Sequence, residues 1–168
     1  MSDRPPAWAV IGTLIGAPLF MGAVIVYVPY ALTGWRLAPP LLGLAAFRPA
    51  GVALAALGAI ELLEFVLRFV REGHGTPMPM APPRRLVVGG AFRVVRNPAY
   101  LAALAVVAGQ GLWLGSVRVL AYALILAAIF HVVVVAYEEP TLRATFGRAY
   151  DEYCRRVPRW LPRRPRGR

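Results

Sequence analysis

The chain has 168 residues, 58% of them hydrophobic, with a mean hydropathy of +0.57 and a net charge of +11. Several apolar runs approach the ~20 residues an α-helix needs to cross a bilayer, which excludes an ordinary soluble protein, and the length suits one domain. The single Cys154 excludes an internal disulfide framework, and cysteine plus histidine are too few for a structural zinc site.

The sequence predicts an all-α integral membrane protein, one domain over residues 1–168, with four transmembrane helices. The first span covers residues 7–30, with a kink expected at Pro18. Its apolar run is too long for a cleaved signal peptide and lacks a cleavage site. Residues 37–47 are apolar but too short to cross, and carry Pro39, Pro40 and Gly43; they read as interfacial or re-entrant. The second span covers residues 51–70. Glu61 and Glu64 share one face of it, with Glu64 one turn before Arg68. Snorkelling towards the near interface accounts for both carboxylates; the sharper reading makes Glu61 part of a substrate cavity.

Residues 71–98 hold five prolines and four glycines, which oppose a regular helix. Yet Leu86, Val87, Val88, Phe92, Val94 and Val95 need a surface to lie on, so the segment is expected to be an ordered loop with a short turn at Gly89-Gly90. Within it, Gly73-His74-Gly75-Thr76-Pro77 suits either a close backbone approach to a ligand or a helix C-cap and turn. Arg96-Asn97-Pro98-Ala99-Tyr100 opens the third span, residues 99–114, with Asn97 placed to cap the helix and Pro98 in its first turn. Arg96 is placed to grip a carboxylate and Tyr100 to line a pocket; anchoring at the interface is the plainer role of each. Only Gly115 and Ser116 separate this span from the fourth, residues 117–136, so the two form a tight hairpin.

All 19 basic residues are arginines; six lie between Arg68 and Arg96 and nine between Arg143 and Arg168. The positive-inside rule puts that loop and the tail in the cytoplasm, and four spans put both termini there. Orientation and attraction to anionic lipid account for the basic charge better than nucleic acid does, because no nucleic-acid-binding signature accompanies it.

The fourth span ends at Tyr137-Glu138-Glu139-Pro140. Adjacent carboxylates repel and cost energy to desolvate, so they are placed to receive a cation, either a ligand or the chain's own arginine. His131, seven residues before Glu138, shares its face in a regular helix and either serves the site or bonds to a neighbouring helix. Beyond Pro140, Leu142, Phe146, Tyr150 and Tyr153 recur at helical spacing, predicting one amphipathic helix in which Asp151 and Arg155 can pair. Trp160 follows as an interfacial residue.

Taken together, Gly73-His74-Gly75-Thr76-Pro77, Arg96-Asn97-Pro98-Ala99-Tyr100 and Tyr137-Glu138-Glu139-Pro140, followed by Phe146-Gly147, Tyr150, Tyr153 and Val157-Pro158-Arg159, resemble the isoprenylcysteine carboxyl methyltransferase family, whose relatives include the membrane phospholipid N-methyltransferases. The resemblance spans residues 69–162. It implies S-adenosylmethionine as cofactor, held in a cytosol-facing pocket between the loop and the segment after the hairpin, and a lipid-like acceptor arriving from the bilayer. It implies Gly73, Gly75, Thr76, Arg96, Asn97, Tyr100, His131, Glu138 and Glu139 as cofactor-binding residues, with Arg96 and Glu139 catalytic. The eukaryotic pattern has histidine where this chain has Asn97, so a general base at that position is excluded. The expected partners are the bilayer and a hydrophobic acceptor; the expected location is a bacterial inner membrane. The alternatives are a non-enzymatic protein that binds anionic lipid or a partner through its arginines, with Gly12/Gly16 and Gly111/Gly115 supporting helix association, and a transporter, for which no inverted repeat is visible. Acceptor identity and oligomeric state are open.

Overall fold

The computed structural model describes residues 19–72, 86 and 88–163, and the described residues form helices and turns with no strand. Four apolar helices run in chain order: α1 (Leu19–Thr33), α2 (Phe47–Glu72), α3 (Pro98–Leu114) and α4 (Val117–Val133). Two short helices follow, α5 (Glu139–Phe146) and α6 (Arg148–Arg156). The helix containing α2 over Phe47–Leu67 and the run Val117–Phe146 are long and apolar enough to cross a membrane. The second predicted span thus begins four residues early, at Phe47. The hairpin between α3 and α4 turns on Gly115 and Ser116 as expected. Pro18 lies outside the described residues.

The tightest packing joins α2 to α3, and its cause is glycine. A Cβ on Gly51 would lie 2.5 Å from the Gly109 carbonyl oxygen, and one on Gly109 would lie 2.5 Å from that of Gly51. Two turns further on, Gly58 faces the Ala102 carbonyl in the same way. Small residues that let helix backbones touch replace the hydrophobic effect as the driving force where lipid surrounds a bundle. Gly111 and Gly115 have the spacing expected of helix association. Gly111 instead makes room for Leu120 across the hairpin, and Gly115 takes the left-handed turn, with φ of 70°. Between α3 and α4 the core holds Ala103, Val107, Val119, Ala123, Leu126 and Phe130, covered by Met21, Val24 and Ile25 of α1.

Two widened π turns shape the bundle. In α1 the turn spans Ala23–Tyr27 and closes with the Val28 N–H donating to the Ala23 carbonyl. After α4 it spans Val134–Glu138 and closes with the Glu139 N–H donating to the Val134 carbonyl. Each lies two residues before a proline, Pro29 or Pro140, which lacks the N–H an α-turn requires and crowds the carbonyl four residues back. The carbonyls that Pro29 leaves open are met by side chains from the hairpin. Gln110 Nε2 donates to the Ile25 oxygen at 2.7 Å and Tyr122 Oη to the Val24 oxygen at 3.0 Å.

The segment after Glu139 is two helices, not the single one predicted. Gly147 breaks it with φ of 51°, a conformation that glycine adopts without Cβ strain. Asp151 pairs with Arg143 at 2.9 Å, back across that break, and not with Arg155 on its own helix.

Glycine contact at the α2–α3 crossing sets the first expectation. Gly109→Leu should cost about 1–3 kcal/mol or prevent folding, since overpacking here meets backbone. Gly22→Ala, at a position with open space, should be neutral or slightly stabilising. Thermal melting followed by circular dichroism in one detergent compares them.

Candidate functional site

The site forms where α3 begins, the π turn ends and the tail returns across both. Residues 94–97 receive the tail by backbone pairing. The Arg96 N–H donates to the Pro158 carbonyl at 2.9 Å and the Arg163 N–H to the Val94 carbonyl at 3.1 Å. Asn97 occupies the N-cap position and Pro98 the first turn, as the sequence predicts. The Asn97 side chain does not cap: its Nδ2 donates to the Arg159 carbonyl at 3.1 Å, a further stitch to the tail.

Glu139 is buried, at 7% exposure, and its charge is met from two sides. Arg159 grips it with both prongs, Nε to Oε1 at 2.6 Å and Nη2 to Oε2 at 2.9 Å. Arg96 Nη1 reaches the same Oε1 at 3.0 Å and also donates to Cys154 Sγ at 2.8 Å. A fork that matches both carboxylate oxygens fixes geometry as well as charge. The carboxylate in turn holds the Arg159 guanidinium protonated, raising its pKa above the ordinary arginine value. The cation anticipated at the paired carboxylates is therefore the chain's own arginine, at least for Glu139.

Glu138 has a different partner. It accepts a hydrogen bond from the Tyr100 hydroxyl. Tyr100 packs at 4.5 Å between ring centroids on Phe130 and at 6.5 Å on Trp160. The two adjacent carboxylates thus do different things: one neutralised by two guanidiniums, one facing a neutral phenol.

Beside them lies a cavity of about 120 Å³. Arg96, Asn97, Glu138 and Glu139 form its polar side; Phe92, Phe146, Tyr150 and Tyr153 give it an aromatic wall; Leu86, Val134 and Leu142 complete the apolar lining. Burial pushes the Tyr153 phenol up from its ordinary pKa, so it stays a neutral donor, bonded to the Phe92 carbonyl at 2.8 Å. Arg96 Nε is buried with no hydrogen-bond partner among the described residues, although it belongs to a side chain on the cavity wall.

Of the residues expected here, Arg96, Asn97, Glu138 and Glu139 line the cavity. Tyr100 stands behind Glu138. His131 is exposed and accepts a hydrogen bond at its Nδ1 from the Trp160 indole at 3.0 Å; it is away from the cavity. The π turn explains this. One extra residue in the turn rotates everything beyond it by roughly 100°, so a spacing of seven no longer puts His131 and Glu138 on one face. Glu61 is not among the residues lining the cavity. Gly73, Gly75 and Thr76 lie outside the described residues. Arg159, Trp160 and Cys154 join these side chains without having been expected there. The Val157-Pro158-Arg159 motif carried the signal for the first, read only as part of a resemblance.

Removing the Arg159 fork should loosen the tail. Arg159→Ala should cost roughly 2 kcal/mol, the worth of hydrogen bonds to a charged group. Arg159→Lys, a point charge without the fork, should recover only part of that. Melting in a fixed detergent measures both.

The sequence model of the phospholipid methyltransferase family matches residues 46–149, more than half of the chain. No curated protein and no solved structure matches it.

Proposed function

This chain belongs to the phospholipid methyltransferase family, and we propose on that footing that it is an S-adenosylmethionine-dependent enzyme of the membrane, methylating a lipid-like or small hydrophobic acceptor at the cytoplasmic face. The observation that carries this reading is the division of labour at Glu138-Glu139. Glu139 is spent on Arg96 and Arg159, while Glu138, with no arginine partner among the described residues, lines a cavity that also has aromatic walls.

The residues present fit the cofactor. A sulfonium or ammonium group suits Glu138, and a carboxylate suits the Arg96 guanidinium on the cavity wall. An adenine ring suits the faces of Phe92, Phe146, Tyr150 and Tyr153. When bound, S-adenosylmethionine supplies a methyl group on an already activated sulfur. The chain's task is then to position donor and acceptor in line and to exclude water. Tyr100 orients Glu138, and Asn97 with Glu139 holds the tail across the start of α3. Gly73, Gly75 and Thr76 are proposed to approach the cofactor through their backbone. His131, bonded to Trp160 and away from the cavity, is left out of the cofactor set. Val134 and Leu142 supply an apolar approach for the acceptor. A carboxylate or thiolate acceptor needs no strong base, whereas an amine must lose a proton, for which Glu138 is a carboxylate on the cavity without an arginine partner among the described residues.

Saturable binding of S-adenosylmethionine to the protein in nanodiscs tests the proposal. Glu138→Gln should weaken it roughly 10- to 100-fold, as the loss of one charge-assisted bond does. Absence of binding by a folded wild type, or unchanged affinity in the variant, would reject the assignment.

A further inference from the structure

The end of the bundle opposite the candidate site carries a loop that the proposed chemistry does not use. Thr33 ends α1 and Phe47 begins α2; between them the chain runs through turns at 34–35, Leu41–Gly43 and 45–46. Its base is pinned to the α3–α4 hairpin. The Ala38 N–H donates to the Leu114 carbonyl at 2.9 Å, and Pro39 lies so close to Gly115 that a Cβ there would strike its oxygen. Arg48 Nη2 donates to the Ala38 carbonyl at 2.9 Å. Its tip points outward. Leu42 is 88% exposed, the most exposed large apolar side chain among the described residues, with Leu44, Leu37 and Trp35 also exposed.

Leu42 and Trp35 have φ of 52° and 53°, in the left-handed region that side chains with a Cβ rarely enter. Such strain persists only where the surroundings hold it. Here the pinned base holds a loop that presents leucine outward, an arrangement costly in water.

Helix length supplies the reason. The 17 residues of α3 span about 25 Å, less than the ~30 Å hydrocarbon core. With the charged site end at one interface, the turn at Gly115-Ser116 stops short of the other. Backbone groups at that depth must be satisfied by protein, because lipid offers no hydrogen bonds. The last carbonyl of α3, on Leu114, is satisfied by the loop. Arg36 and Arg118 are exposed beside it, long enough to reach phosphate oxygens while their stems stay among apolar groups.

We infer that residues 34–46 are a re-entrant wedge seated in the bilayer leaflet at this end. It fills the thickness that the short hairpin leaves, with Leu42 and Leu44 among acyl chains and Arg36 and Arg118 at headgroup phosphates. The inference rests on the membrane reading of the chain and not on its catalytic role.

Nitroxide labels report depth directly. Full-length Leu42→Cys and, separately, Leu44→Cys, each in a Cys154→Ser background, are labelled and reconstituted into phosphatidylethanolamine–phosphatidylglycerol vesicles. Leu57→Cys on the exposed apolar face of α2 and Glu152→Cys on exposed α6 serve as references. The wedge predicts that both loop labels collide with oxygen and resist a water-soluble nickel chelate, as the Leu57 label does. Loop labels with collision ratios nearer that of Glu152 would overturn it. A Leu57 label that behaves like the Glu152 label would overturn the membrane reading and the wedge together.

Discussion

Glu139 holds the working end of this molecule together. It sits where the fourth apolar helix ends, buried, with Arg159 forked onto both oxygens and Arg96 on one. A buried carboxylate without such partners would cost several kcal/mol; with them it becomes a joint between three stretches of chain far apart in sequence. The tail crosses the start of α3 because Arg159 is fixed, and the stitches at Arg96, Asn97 and Val94 follow that path. The aromatic wall of the cavity hangs on the same joint, since Tyr150 and Tyr153 lie between Glu139 and the tail in sequence and line the cavity beside it.

The second constraint is backbone hydrogen bonding around proline. Pro29 and Pro140 each follow a π turn at the same distance, and the two turns serve different ends. The first is closed off by Gln110 and Tyr122, polar side chains that tie α1 to the hairpin where lipid can offer no bond. The second swings Glu138 towards Tyr100 and Glu139 towards the arginines. Widened turns of this kind recur at functional sites because they aim side chains a regular helix would point elsewhere.

Hydropathy made much of the fold legible in advance. The third and fourth apolar runs, the two-residue turn between them and the cap positions at Asn97 and Pro98 are local consequences of composition and turn chemistry. So was the meeting of Arg96 with a carboxylate, which the adjacent charges at a helix end supply. What was not legible depended on rotation or on distant partners. No periodicity reveals a π turn, so His131 was placed on the face of Glu138 when it meets Trp160 instead. Gly147 looked like one more residue of an amphipathic helix until its left-handed backbone divided it. The pairing of Gly51 with Gly109 joins positions 58 residues apart, beyond the reach of any local pattern.

Two neighbouring carboxylates have separate places: Glu139 fixes the tail, and Glu138 faces Tyr100 at the cavity. Amide hydrogen exchange at Arg96 and Arg163, whose N–H groups bond the tail to residues 94–96, reads the hold on the tail alone. The account predicts faster exchange at both amides in Glu139→Gln and wild-type exchange in Glu138→Gln. Equal acceleration in the two variants, or none in Glu139→Gln, would contradict it.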